Sequence, residues 1–206
     1  MRATAPAITP AGRTGEAAAT KAGFHAVYEG ETRIWFHSWP AIWYVSVEPG
    51  GTGLSAAALS PVGVKVLQVH GGRDRPLCTV SVPGAERLKP YGEALWAGLL
   101  WALADNMPAG GTAWTGDGDT VSGEARRGST SVRYSASATN GTLQEKTVLD
   151  GRRRTHEIRL SDQRQAGDRS YPGTIEVKCL APRCVLTLKL KSIRWNDGKS
   201  PDATGP

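Results

Sequence analysis

The chain has 206 residues, enough for one domain with a tail or for two very small ones. Hydrophobic residues make up 39%, a globular composition, and the 25 glycines suit an all-β chain with many turns better than a helical bundle. A formal net charge of +6 favours an anionic partner such as a phospholipid surface, a lipopolysaccharide-like ligand or nucleic acid, and no run reaches the roughly 18 apolar residues of a membrane helix.

Residues 1–22 are rich in Ala, Thr, Pro and Gly and lack any hydrophobic period, so they read as a disordered tether; no apolar core of a secretory signal is visible in them. From Phe24 the pattern predicts strands over GFHAVYEG, TRIWFHSW and AIWYVSVEP, each bounded by Gly or Pro. Trp35, Trp39 and Trp43 recur every fourth residue, but Pro40 and the β-branched and aromatic neighbours argue for two strands around a bend, with core packing for at least two of the three.

GLSAAALS and VKVLQVHGG flank Ser60-Pro61-Val62-Gly63, a turn whose tip is a valine. Pro and Gly account for the bend, and turn chemistry alone favours a valine tucked beneath it. PLCTVSV follows as another strand, with Cys78 as a buried strand thiol, and short loops make the whole an antiparallel meander. The period then changes. Leu95, Leu99 and Leu103 at i, i+4 and i+8, with Trp96, Leu100 and Trp101 beside them, predict a helix from about Tyr91 to Ala104 that covers a hydrophobic face of the sheet or plugs its open side.

Strands resume at STSVRYSASA, TLQEKTVLDG, RTHEIRLSDQ, GTIEVKC and VLTLKLKSIRW. The last alternates cleanly, setting Val185, Thr187, Lys189 and Lys191 against Leu186, Leu188 and Leu190, which predicts one wet and one dry face. Cys179 and Cys184 bracket LAPR between the final two strands, as either a cross-hairpin disulfide or two half-buried thiols. Residues 197–206 read as a disordered tail. The expected fold is mainly β with one central helix: about eleven antiparallel strands curved around that helix, with a cavity between them.

No catalytic signature is present: no nucleophile elbow, H-E-x-x-H, P-loop or Rossmann glycine triplet. His25, His37, His70 and His156 are scattered, and Asp117 and Asp119 fit a Gly-Asp turn as well as a cation loop. No cofactor or metal is expected, nor enzymatic activity. Arg152, Arg153 and Arg154 follow the Asp150-Gly151 turn, either as a solvated turn or as a cationic rim for lipid phosphates. No aromatic residue lies within five positions of that run, which weighs against nucleic acid.

The order of these elements resembles the LolA/LolB lipoprotein-localisation family, and most of all its LolB branch of outer-membrane receptor lipoproteins. The residues that carry the resemblance are GFHAVYEGETRIWF, the Pro-hydrophobe-Gly turn in LSPVGVKVLQV, the helix YGEALWAGLLWAL, and the ending from DGRRRTHEIRL through YPGTIEV to the strand closing on Trp195-Asn196. The match spans residues 23–196. It implies an incomplete antiparallel β-barrel with a helical lid over a hydrophobic cavity for lipoprotein acyl chains. Carried over by position, Pro61, Val62 and Gly63 form a protruding membrane-insertion loop. Ile34, Phe36, Trp43, Val45, Leu186, Leu188 and Leu190 become candidate cavity residues, with Trp96, Leu99 and Leu100 on the lid.

The resemblance further implies a periplasm-facing receptor held to the outer membrane by an N-terminal lipid. Its partners would be acylated lipoproteins or lipids, the outer-membrane phospholipid surface and a periplasmic carrier protein, with no nucleic acid. A valine at the tip is smaller than the leucine-like residue usual in that branch, and neither lipoprotein signal nor acylated cysteine stands in this sequence. The alternative is a structural or interaction lipoprotein of the cell envelope that binds no ligand.

Overall fold

The computed structural model describes residues 22–72, 76–81, 86–104, 114–166 and 169–196. The tether expected over residues 1–22 and the tail over 197–206 therefore lie outside the described residues, save for Ala22. In chain order the strands are β1 Phe24–Ile34, β2 His37–Val47, β3 Gly53–Leu59, β4 Lys65–Gly72 and β5 Leu77–Val80. The helix α1 spans Lys89–Leu103, and the strands continue as β6 Trp114–Asp117, β7 Thr120–Arg127, β8 Thr130–Ser137 and β9 Leu143–Asp150. The last three are long: β10 Arg153–Ala166, β11 Arg169–Leu180 and β12 Arg183–Trp195.

All twelve strands form one antiparallel sheet in the order β5-β4-β3-β2-β1-β12-β11-β10-β9-β8-β7-β6. Two meanders are thus joined where β1 pairs with β12, from Phe24 opposite Trp195 to Ile34 opposite Cys184. The edges β5 and β6 stay unpaired with one another, so the sheet is an open barrel. α1 packs on β3, β4 and β5 and also on β10, β11 and β12. In a flat sheet β5 and β10 would lie roughly 34 Å apart at the usual strand spacing, whereas a helix is only about 10 Å across, so the sheet must curl around it.

Alternation places the core. On β1 and β2, Phe24, Ala26, Tyr28, Ala41, Trp43, Val45 and Val47 are buried while their neighbours along each strand face outward. The β12 alternation appears as the sequence predicts, with Leu186, Leu188 and Leu190 inward. A register shift opposite Val27/Tyr28 leaves Lys191 as an extra residue, and Ile193 and Trp195 resume the inward face beyond it.

Among the described residues the strands number twelve, close to the expected eleven or so, and their division differs in two places. Gly30 is no boundary but the middle of β1. A Cβ there would stand 2.6 Å from Leu188 Cδ2 and 2.8 Å from Trp43 Cδ1, so glycine makes room for the indole. Likewise Pro40 lies within β2, opposite Glu31, where β3 has not yet begun to pair; the missing N–H leaves no ladder bond unmade. The expected three strands over this segment are therefore two long ones. The chain reverses at Trp35-Phe36. In the other direction, β6 and β7 escape a search for large apolar residues, because the inward positions of β7 are Val121, Gly123 and Ala125.

Candidate functional site

The inner face of the sheet and the helix that roofs it form the candidate site. Trp43 and Val45 from β2 and Leu186, Leu188 and Leu190 from β12 face inward and are buried, and Trp96, Leu99 and Leu100 of α1 are buried against the sheet. Ile34, near the end of β1, is only half-buried and packs at the margin of this core. Phe36 does not belong to the interior: it is 82% exposed, because the chain turns at Trp35-Phe36 and the parity carried forward from Ile34 is lost there. Trp35 and Trp39 are also exposed, which leaves Trp43 as the one core tryptophan of that set.

Three polar side chains tie the lid down. Trp96 Nε1 donates to the Leu54 carbonyl of β3 at 3.2 Å. His156 of β10 donates from Nε2 to the Ala94 carbonyl at 3.0 Å. Lys146 of β9, 2% exposed, donates from Nζ to the Trp101 carbonyl at 2.7 Å and to that of Ala102 at 3.4 Å. These carbonyls stand in the last turn of the helix, at the negative end of its dipole, so the ammonium caps it in both charge and hydrogen bonding. Gly98 brings the helix down on β11: a Cβ there would collide with Val177 Cγ1. Neither Lys146 nor His156 stands out in the sequence. Lys146 takes an inward position on a strand flanked by charged residues, and only the pairing of β9 with β8 and β10 shows where it points.

The interior also holds polar atoms without partners. The indole N–H of Trp43 is buried with no hydrogen-bond acceptor, as are those of Trp114 and Trp195. Burial alone pushes the Tyr28 phenol far above its ordinary range, so that hydroxyl stays neutral. Among the described residues no group of His, Cys, Asp and Glu is gathered as a metal site.

Cys179 and Cys184 stand opposite each other in the β11–β12 hairpin, and both are free thiols; the bridge between them is not formed. The hydrogen bond with Cys184 and burial together push the Cys179 pKa well up, which keeps it a thiol. Cys78 is half-buried on β5 beside the start of α1, less buried than its strand pattern implies.

Pro61, Val62 and Gly63 form the loop between β3 and β4. Gly63 N–H donates to the Ser60 carbonyl at 2.8 Å, Ser60 N–H donates to the Val64 carbonyl at 2.8 Å, and Gly63 takes a φ of 82°. This closed loop holds Val62 outward, 84% exposed, rather than beneath the turn. Arg152, Arg153 and Arg154 are exposed at the β9–β10 turn, and Arg154 lies 3.5 Å from Glu157.

No family model and no curated protein matches the sequence. Solved structures do match. A LolA superfamily protein from Nitrosomonas europaea superposes with a TM-score of 0.55 at 13% identity, covering 87% of this chain and 90% of that one. A DUF1329 family protein from Desulfovibrio piger gives 0.54 at 8% identity, covering 88% of each. A domain from Vibrio parahaemolyticus named for outer membrane lipoprotein sorting gives 0.51 at 9% identity, covering 86% and 87%. Identities this low speak for the fold alone, and the chain has the fold of the LolA superfamily: an incomplete β-barrel with a helical lid.

Proposed function

We propose that the protein is a non-enzymatic carrier that takes the acyl chains of lipids or lipoproteins between the inner sheet face and α1. On this reading it acts as a receptor of the LolB kind. It faces the periplasm at the outer membrane, receives cargo from a periplasmic carrier protein, and delivers it with the Val62 loop in contact with the phospholipid. Direction needs no energy source. Each buried methylene contributes about 0.8 kcal/mol, so a few methylenes of difference between donor and acceptor cavities set the flow.

The observation that carries the proposal is the Trp43 indole, 1% exposed on an apolar face beneath the lid, with an N–H that no protein group accepts. An acyl ester or amide carbonyl lodged there would satisfy the donor while its chain met Leu186, Leu188 and the lid leucines. The likeness to a domain named for lipoprotein sorting supports the same reading.

Titration with a diacylated peptide, read by intrinsic tryptophan fluorescence, tests it. The wild-type chain should bind saturably. Trp43→Phe should weaken binding about fivefold to tenfold, the effect of one hydrogen bond of about 1 kcal/mol or slightly more, while the fold stays intact. No saturable binding by the wild-type protein would refute the carrier, leaving the envelope interaction module.

A further inference from the structure

Neighbouring strands alternate in direction, so five strand-to-strand turns leave the same end of the sheet. In spatial order these are the β3–β4 loop, the β1–β2 turn, and the β11–β12, β9–β10 and β7–β8 turns. The first two carry an unusual load. Trp35 is 71% exposed, Phe36 82%, Trp39 43%, Val62 84% and Val64 59%. The aromatic rings form a connected strip: Trp35 to Phe36 at 6.4 Å, Phe36 to His37 at 4.9 Å, and His37 to Trp39 at 5.7 Å between centroids. Trp39 continues the inner-face register of Ala41 and Trp43 out to the rim, so the strip ends at the mouth of the barrel.

Charge follows beside it. Arg33 on β1, Lys65 at the start of β4 and Arg183 at the start of β12 are exposed next to these loops, with Arg152 and Arg153 one hairpin further along. Asp150, opposite Arg153, is the acidic residue of that turn.

Neither packing nor local geometry accounts for Trp35. Its φ is 58°, a left-handed conformation that a bulky L-residue adopts at a cost and that Gly, Asn or Asp would occupy with less strain. A large indole held in a strained turn and pointed at solvent is retained for something outside the fold. We infer that the β1–β2 turn, with the Val62 loop and the flanking arginines, is a docking face for an anionic phospholipid membrane. The rings and valines enter the headgroup boundary, and the guanidinium groups meet lipid phosphates. A single-stranded nucleic acid would use the rings for stacking, but the two valines offer it no stacking face. This surface lies outside the cargo interior; it rests on the membrane contact proposed above for the Val62 loop and adds the β1–β2 turn to it.

Flotation of the full chain with vesicles tests it, comparing phosphatidylcholine alone with phosphatidylcholine containing phosphatidylglycerol. Binding should require the anionic lipid and fade at high salt. Each arginine removed in Arg152→Ala and Arg183→Ala should weaken it roughly fivefold. Trp35→Gly with Phe36→Ser should lower partitioning at least ~tenfold while thermal stability holds or rises, since glycine relieves the turn; Val62→Glu should also lower it. Diacylated-peptide binding in solution should be unchanged in all of these variants, so loss of docking and loss of cargo capture are read separately. Equal flotation of the wild type and the Trp35/Phe36 variant would overturn the assignment. So would a loss of stability in that variant, binding to a single-stranded oligonucleotide through these residues without vesicle binding, or dimerisation through them in place of it.

Discussion

Nε2 of His156 donates to the Ala94 carbonyl of the lid, Nδ1 lies 3.1 Å from Thr155 Oγ1, and burial outweighs the helix carbonyl in moving the imidazole pKa below 6.5. A depressed pKa means that the folded protein binds the proton less readily than the unfolded chain. Its contribution to stability is thus fully present above about pH 6.5 and is lost as the pH falls through the folded value. Urea unfolding at about pH 7.5 and about pH 5 should show wild type losing more stability than His156→Gln. Equal losses would mean that the histidine does not titrate with folding. His156 also illustrates what single residues conceal. As one of four scattered histidines it reads as an ordinary strand residue, and only the descent of α1 onto β10 gives it a partner. Trp43 and Trp35 differ in the same way: identical in type and eight positions apart, they are assigned to core and rim by Gly30 and by a turn.

At the scale of elements, α1 was legible because its leucines repeat with the helical period, and β12 because Leu186, Leu188 and Leu190 alternate with polar residues. The sequence pattern misses β6 and β7 because β6 is only four residues long, with Trp114 as its one large apolar residue, and the inward Gly123 and Ala125 beside Val121 give β7 little hydrophobic contrast. The first hairpin is longer than its sequence suggests because Gly30 and Pro40 usually punctuate strands; here one makes room for an indole and the other sits where no ladder bond is due. How far the lid must move is a question for α1 itself. A Cβ at Gly92 would lie 2.5 Å from Cys78 Sγ, a side-chain end that can rotate aside. In Gly92→Cys, oxidation should therefore staple α1 to β5. Uptake of a diacylated peptide should then slow at least ~tenfold, as for a gated step, and recover on reduction. Unaltered uptake by the stapled protein would place entry elsewhere than under this part of the lid.

The whole molecule puts two chemistries at separate addresses. Twelve strands wrap one helix to enclose an apolar interior, and because the meander alternates direction, exposed rings, valines and arginines collect at one end of the same sheet. The general architecture follows from hydrophobic period and turn residues. Which loops share an end follows only once β1 is known to pair with β12, a contact between the two ends of the chain that no local pattern encodes. The central claim, that the interior exists to hold acyl chains, is tested most directly by native mass spectrometry of the full chain purified from cell envelopes. The carrier account predicts a population heavier than the bare protein by the mass of a lipid or an acylated peptide, displaced by added diacylated peptide. Bare protein alone, unchanged after incubation with that peptide, would contradict it.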